Sequence, residues 1–327
     1  MGTVPSTLQE AVIYFADAEN CQAFMANLRW PDGKILCPRC GSANVKWLPN
    51  AKLFKCYQKH EKQKFSLKVG TVFEDSPIGL EKWLPVVWLI SNCKNGISSY
   101  EIHRAIGVTQ KTAWFMLHRA RVAMMGDAGN KLAGEIEADE TLIGGNVRNM
   151  HRLSKRAIRA KNEGNWGRTP VLGLLEREGR VRAAVAPNRR KHHVQPNIIA
   201  NVEPGSTLYT DEFNAYDNLP AEFKREVVNH LQQYVNGRVH TNGMENFWSL
   251  LKRTLKGTYV SVDPCHLQAY VDEQVFRYNH RKHEGGEKQT DFDRFKTVLS
   301  RIVDKRLTYA ELIGKEAETW TIVEEGA

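Results

Sequence analysis

Cysteine is scarce and unevenly placed in this chain. Six occur in 327 residues, at positions 21, 37, 40, 56, 93 and 265. Three fall within twenty residues and three are scattered, which excludes the stapled framework of a small secreted domain. Long apolar runs are also missing. The most apolar stretch, Trp83 to Ile90, is far too short to span a bilayer. The first ten residues hold neither a basic n-region nor an apolar core, so no signal peptide is expected. Gly2 follows Met1, but Ser6 reads as a helix cap rather than part of a myristoylation signal. Internal repeats and low-complexity tracts are absent. These absences point to a cytoplasmic protein with no membrane partner.

What is present fits a folded, basic protein. Hydrophobic residues make up 42% of the chain, enough for real cores. Lys and Arg number 46 against 37 Asp and Glu, a formal net charge of +9. Nucleic acid is the commonest partner that rewards such a balance, because each neutralised phosphate releases counterions.

The cysteine cluster has metal spacing. Cys37 and Cys40 are separated by two residues; fifteen residues later come Cys56 and, three residues beyond it, His60. The run Cys-Pro-Arg-Cys-Gly-Ser has the form of a zinc-ribbon knuckle. Three thiolates and one imidazole would close a tetrahedral, structural Zn²⁺ site. A surface role for His60 in its Lys-rich loop is the alternative.

Residues 7–29 read as one or two helices with Leu8, Val12, Phe15, Cys21, Phe24 and Leu28 as apolar members. Residues 96–121 read as two helices around a turn. Ser98 or Ser99 caps the first, Gly107 makes the turn, and Thr109 caps the second. The second helix buries Ala113, Met116, Leu117 and Ala120. Its other face offers Gln110, Lys111, Thr112, His118, Arg119 and Arg121, the layout of a major-groove reading helix, with Lys111, Arg119 and Arg121 as expected DNA contacts. A plain helical hairpin with a basic face is the bland reading.

Beyond residue 130 the pattern changes to strands, at 135–144, 170–177, 180–187, 206–211 and 225–229, with helices near 193–201, 245–256 and 264–279. Strand, hairpin, helix, strand and a late helix is the order of a ribonuclease H-like fold. The expected class is therefore α/β, a ribonuclease H-like catalytic domain preceded by a small zinc ribbon and a helix-turn-helix. The expected segments are an N-terminal helical stretch over 1–29, the ribbon over 30–75, the helix-turn-helix over 76–130, the catalytic domain over 131–285 and a helical tail over 286–327.

Three acidic positions give that domain its chemistry. Asp139 lies on the first strand, Asp211 ends the fourth, and Glu245 opens a helix. Together they could hold two Mg²⁺ or Mn²⁺ ions for phosphodiester chemistry. Each has a structural alternative: a solvated strand-end residue for Asp139, an Asx-turn for Asp211, and for Glu245 a capping box with Asn242. Asn242 is also a rival third ligand. Lys252, seven residues after Glu245, shares its helix face and could reach a DNA phosphate. The stretch Asn146–Arg168, with seven basic residues against one Glu, and the cluster Arg189-Arg-Lys-His-His could line the DNA path.

Arg29-Trp-Pro-Asp-Gly with Cys37-Pro-Arg-Cys-Gly, Phe65-Ser-Leu-Lys-Val-Gly-Thr-Val-Phe-Glu-Asp-Ser, Ala138-Asp-Glu-Thr-Leu-Ile-Gly-Gly, Tyr209-Thr-Asp, His240-Thr-Asn-Gly-Met-Glu-Asn-Phe-Trp-Ser-Leu-Leu-Lys-Arg and Tyr278-Asn-His-Arg follow in order. Through them the chain resembles bacterial insertion-sequence transposases of the DDE class, in the ISXO-type group that carries a zinc ribbon. The resemblance implies cleavage at the 3′ ends of an insertion sequence, joining of those ends to target DNA, and a homo-oligomer on paired ends at the bacterial nucleoid. It implies Asp139 and Asp211 as the two catalytic aspartates, with Glu245 or Asn242 third. A zinc-dependent DNA-binding regulator and a nuclease of the same fold are the other readings.

Overall fold

The computed structural model describes residues 4–126, 129–145, 168–177, 179–228, 240–283 and 285–315. They form two compact units. The first comprises the chain up to Asn92, Ser98–Met124 and the segment from Thr290 onward; the second comprises Cys93–Ile97 and Met125–Gln289.

The first unit opens with helices α1 (Leu8–Ala16) and α2 (Ala18–Arg29). Asp17 ends one and caps the other, its carboxylate accepting from the Glu19 amide at 2.7 Å. The cap of α1 is Thr7; Ser6 instead donates to the Glu10 carboxylate. Of the expected stripe, Phe15 and Cys21 are buried, but Leu8 and Val12 stay 41% and 48% exposed. The inward face of α1 is Ala11 and Phe15, so of the stripe members on this helix only Phe15 turns inward. A three-stranded antiparallel sheet follows, β1 (Val45–Leu48), β2 (Leu53–Cys56) and β3 (Lys64–Phe65). Arg29 ties the end of α2 to this region by donating to the Leu67 carbonyl at 2.6 Å.

Next come α3 (Leu80–Asn92), α4 (Ser99–Ile106) and α5 (Gln110–Met124). A capping box of Ser98 and Glu101 starts α4. Gly107, at φ 63°, ends it in the left-handed conformation that glycine adopts without strain. The Thr109 hydroxyl then caps α5 through the Thr112 amide. Helix α9 (Asp291–Ser300) returns from the far end of the chain and seats Phe295 against Phe15, Phe24 and Trp88. The tail near 286–327, set apart by its position in the sequence, thus supplies core to the unit that begins at the N-terminus.

This packing overturns part of the reading of α5. Arg119 and Arg121 are 5% and 1% exposed, and His118 is buried with them. The Arg119 guanidinium donates to the carbonyls of Leu307 and Glu74 and lies over the Phe115 ring. A single apolar stripe was the wrong template, because α5 is covered on several sides. Neither arginine is free to meet DNA.

The second unit is built on a five-stranded sheet: β4 (Glu135–Ile143), β5 (Thr169–Glu176), β6 (Val181–Val185), β7 (Thr207–Thr210) and β8 (Lys224–Val227), in the order β6-β5-β4-β7-β8. The first three pair antiparallel, and β4, β7 and β8 run parallel. On one face, Ile136, Ala138, Leu172, Leu174 and Leu208 pack with Val194 and Ile198 of α6 (Lys191–Asn201). On the other, Val171 and Leu175 pack with Met244, Phe247, Trp248 and Leu251 of α7 (Asn242–Thr254) and Val271 of α8 (Leu267–Asn279). Strand β5 is covered on both faces, so it reads as an unbroken apolar run.

Helix α8 lies along the outer edge of β6. Its Asn279 side chain exchanges two hydrogen bonds with Val181, accepting from the amide at 2.8 Å and donating to the carbonyl at 3.0 Å. Gln268 does the same work further along, accepting from the Val185 amide and donating to the Ala183 carbonyl. Among the described residues, no helix is long and apolar enough to cross a membrane.

Candidate active site and metal centre

In the ribbon, the four expected ligands converge. One donor atom each from Cys37, Cys40, Cys56 and His60 lies within 4.8 Å of all the others. Cys37 Sγ is 3.6 Å from His60 Nε2, and Cys40 Sγ is 3.6 Å from Cys56 Sγ. A tetrahedral zinc with Zn–S bonds of about 2.3 Å has ligand–ligand edges of roughly 3.7 Å, so the donor set fits the ion. The ring of His60 is oriented for the task. Its Nδ1 lies 2.6 Å from the Glu61 carbonyl, which places the proton there and leaves Nε2 to face the thiols. The Cys37 thiol feels burial pushing it up, but backbone amides of Arg39 and Cys40 and the neighbouring thiols bring it down to about 7. Cys56 is raised, first by burial. A cluster in which one thiol gives up its proton readily suits a structural cation.

In the second unit, the parallel register of β4 and β7 pairs Glu137 with Tyr209. Asp139 lies two residues beyond that pair on β4, and Asp211 directly follows β7. The two aspartates and Glu245 are close enough to sense one another. Burial pushes the Asp139 carboxyl up to about 6, and the charges of Asp211 and Glu245 push the same way, against the amide of Glu140 and the indole of Trp248. Asp211 makes the Asx-turn foreseen for it: Oδ1 accepts from the Phe213 amide at 3.0 Å. Its backbone carbonyl is held by Arg225 at 3.0 Å. Glu245 does not cap its helix. The cap residue of α7 is Thr241, no side chain caps it locally, and Asn242 is already the first helical residue. Both Asn242 and Glu245 are exposed at the helix start, and the capping-box alternative falls.

Residues 131–279 match the family model of the ISXO2-like transposase domain, and residues 16–58 match that of the transposase zinc-ribbon domain. An uncharacterized transposase-like protein of Haemophilus influenzae is 33% identical over 101 residues, 31% of this chain and 81% of that protein. This chain belongs to the ISXO2-like transposases. A further relative is the uncharacterized protein in transposable element ISH50 of Halobacterium salinarum. It is 29% identical over 252 residues, 74% of this chain and 84% of that protein.

The remaining expected site residues of this family member are dispersed. Lys252 is half-buried on α7, two turns beyond Glu245. Lys111 is exposed at the start of α5, its ammonium 4.5 Å from the Tyr309 ring centroid. The basic stretch Asn146–Arg168 lies outside the described residues except for its last member. Arg189, from the second basic cluster, sits over the ring of Phe213.

Several residues not singled out in the sequence surround the carboxylates. Trp248 donates its indole N–H to Asp139 Oδ2 at 3.0 Å. Gly173 pairs with Asp139 across β4 and β5, and a Cβ there would fall 2.2 Å from Met244 Cε and 2.6 Å from Trp248 Cζ2. A lone glycine inside an apolar strand was the available signal. Glu137 is buried, pairs with Arg177 and accepts from the Met244 amide at 2.9 Å. Glu140 is pushed up to about 7 by burial, against the hydrogen bond from Tyr216 and with the charges of Asp211 and Asp139.

Proposed function

We propose that this chain is a DNA transposase that binds the terminal inverted repeats of an insertion sequence, cleaves the 3′ ends and joins them to target DNA. The observation that supports the reading is electrostatic: Asp139 on β4 is pushed up first by burial and then by the charges of Asp211, just after β7, and Glu245, at the start of α7. A divalent cation held between them would relieve that repulsion at Asp139. The strand order β6-β5-β4-β7-β8 supports a ribonuclease H-like catalytic domain, and α4 with α5 supports a helix-turn-helix.

Asp139, Asp211 and Glu245 would hold two Mg²⁺ or Mn²⁺ ions, with the Asn242 amide oxygen as the alternative to Glu245. Bound there, the ions supply Lewis-acid activation of the attacking oxygen and stabilise the leaving one. Water first breaks the P–O3′ bond at the element end. The freed 3′-hydroxyl then attacks a target phosphodiester, forming one bond as it breaks another, with no covalent protein intermediate. Lys252 steadies a phosphate beside the acids, and Lys111 contacts the element end. The four ribbon ligands hold Zn²⁺, and the working form is a homo-oligomer on paired ends at the nucleoid.

A strand-transfer assay on the intact chain, with Mg²⁺ and the DNA flanking its gene, tests this. Asp211→Ala should lose joining and keep end binding. Unchanged joining removes the triad. Cleavage without joining by the wild-type chain leaves a nuclease, and end binding with neither leaves a regulator.

A further inference from the structure

Helix α7 touches β4 through two hydrogen bonds, both donated by the helix to carboxylates of the strand. At its first turn, the Met244 amide donates to Glu137 Oε2 at 2.9 Å. One turn on, the Trp248 indole donates to Asp139 Oδ2 at 3.0 Å. The spacing matches across the contact. Two residues of strand rise about 6.6 Å, and four residues of helix rise about 6.0 Å. Residues 137 and 139 share a strand face as residues 244 and 248 share a helix face, so each bond permits the other.

Two glycines make the approach possible. A Cβ at Gly173 would collide with Met244 and Trp248, and one at Gly243 would fall 2.4 Å from Leu175 Cδ2 and 2.8 Å from Glu137 Oε2. Glu137 is itself fixed by Arg177 at 3.3 Å, whose guanidinium also donates to the His240 carbonyl at 2.8 Å. The helix therefore receives from a distant strand the cap that its own N-terminus lacks.

We propose that Trp248 is a positioning residue for Asp139, and that with Glu137 it sets the register of α7 on β4 so that Glu245 faces the two aspartates. The proposal rests on the carboxylate reading above. An N–H that grips one carboxylate oxygen fixes the rotamer of the side chain and leaves the other lone pairs directed at the cation, as outer partners of metal ligands do. The Glu140 amide holds Oδ1 at 2.8 Å from the other side. Asp139 is thus oriented before any cation arrives.

The test is Mn²⁺ affinity of the intact chain, followed by the electron paramagnetic resonance of free Mn²⁺, beside its melting temperature. Trp248→Phe keeps the ring in its slot and removes the N–H. It should bind Mn²⁺ about tenfold more weakly, the scale of a lost outer partner, with little change in melting temperature. Glu137→Ala should weaken binding too, and Glu137→Gln, which keeps an oxygen for the Met244 amide, should retain most of it. Wild-type affinity in Trp248→Phe, with loss in Asp139→Asn, overturns the positioning role and leaves the carboxylate site standing. Wild-type affinity in Asp139→Asn overturns both. If Trp248→Phe does not fold, ¹⁵N-indole spectra of the wild-type chain decide: one tryptophan N–H resonance should be protected from exchange and should move in Asp139→Asn, and the absence of such a resonance overturns the proposal.

Discussion

At Asp139, burial and two neighbouring carboxylates act in the same direction, bringing its carboxyl to about 6, while Glu140 beside it is brought to about 7, chiefly by burial. An acid whose pKa is higher in the fold than in the unfolded chain binds an extra proton when folded. Stability from these two groups is therefore greatest below their unfolded values near 4 and falls as pH rises toward 7. The divalent cation proposed for this site would relieve the repulsion, and protons would compete with it. Added Mg²⁺ should raise the melting temperature more at pH 8 than at pH 5.5, and Asp139→Asn should abolish most of that difference. Equal shifts at the two pH values in scanning calorimetry would contradict it. In the ribbon, Cys37→Ser should lose the zinc, about one equivalent per chain by elemental analysis; full zinc content in that variant sinks the assignment. His60 was legible as a candidate from spacing alone. What spacing could not supply was the Glu61 carbonyl that orients its ring.

Among elements, α7 carries the greatest consequence. Gly173→Ala places a methyl against Met244 and Trp248 and should cost about 1–3 kcal/mol through overpacking. It should also weaken Mn²⁺ binding, because the helix must lift from β5; urea unfolding and Mn²⁺ titration together check this. The strands and helices of the second unit were readable because their apolar positions repeat at 2 or 3.6 residues. The partners of α7 were not. Trp248 sits at helical spacing with Leu251 and Leu255, and periodicity sees its indole ring and not its N–H. Arg119 failed for the related reason that a long side chain can carry its charge inward to the carbonyls of Leu307 and Glu74. Asn279 belongs to the Tyr-Asn-His-Arg motif, one of those that carry the resemblance to the transposases. In the fold it seals Val181, and Asn279→Ala should cost about 1–2 kcal/mol for two lost hydrogen bonds.

Across the whole molecule, the first unit is assembled from both ends of the chain. Sequence divides the chain into consecutive segments, because local patterns carry no record of which distant segment covers a given face. Phe295 is fully buried among Phe15, Phe24 and Trp88. Removing the residues from 290 onward should therefore expose the α1–α3 core, read as loss of hydrogen-exchange protection in those helices; unchanged protection would contradict this.

The Gln268 and Asn279 amides on β6 bear on assembly. They occupy outward backbone groups of Val181, Ala183 and Val185 that a neighbouring strand would need. That rim of the sheet cannot be lengthened by a second polypeptide without first displacing a helix. In the homo-oligomer proposed above, protomers would have to recognise each other by some surface other than a shared β-ribbon at this border, and the sheet stays the property of one chain along it.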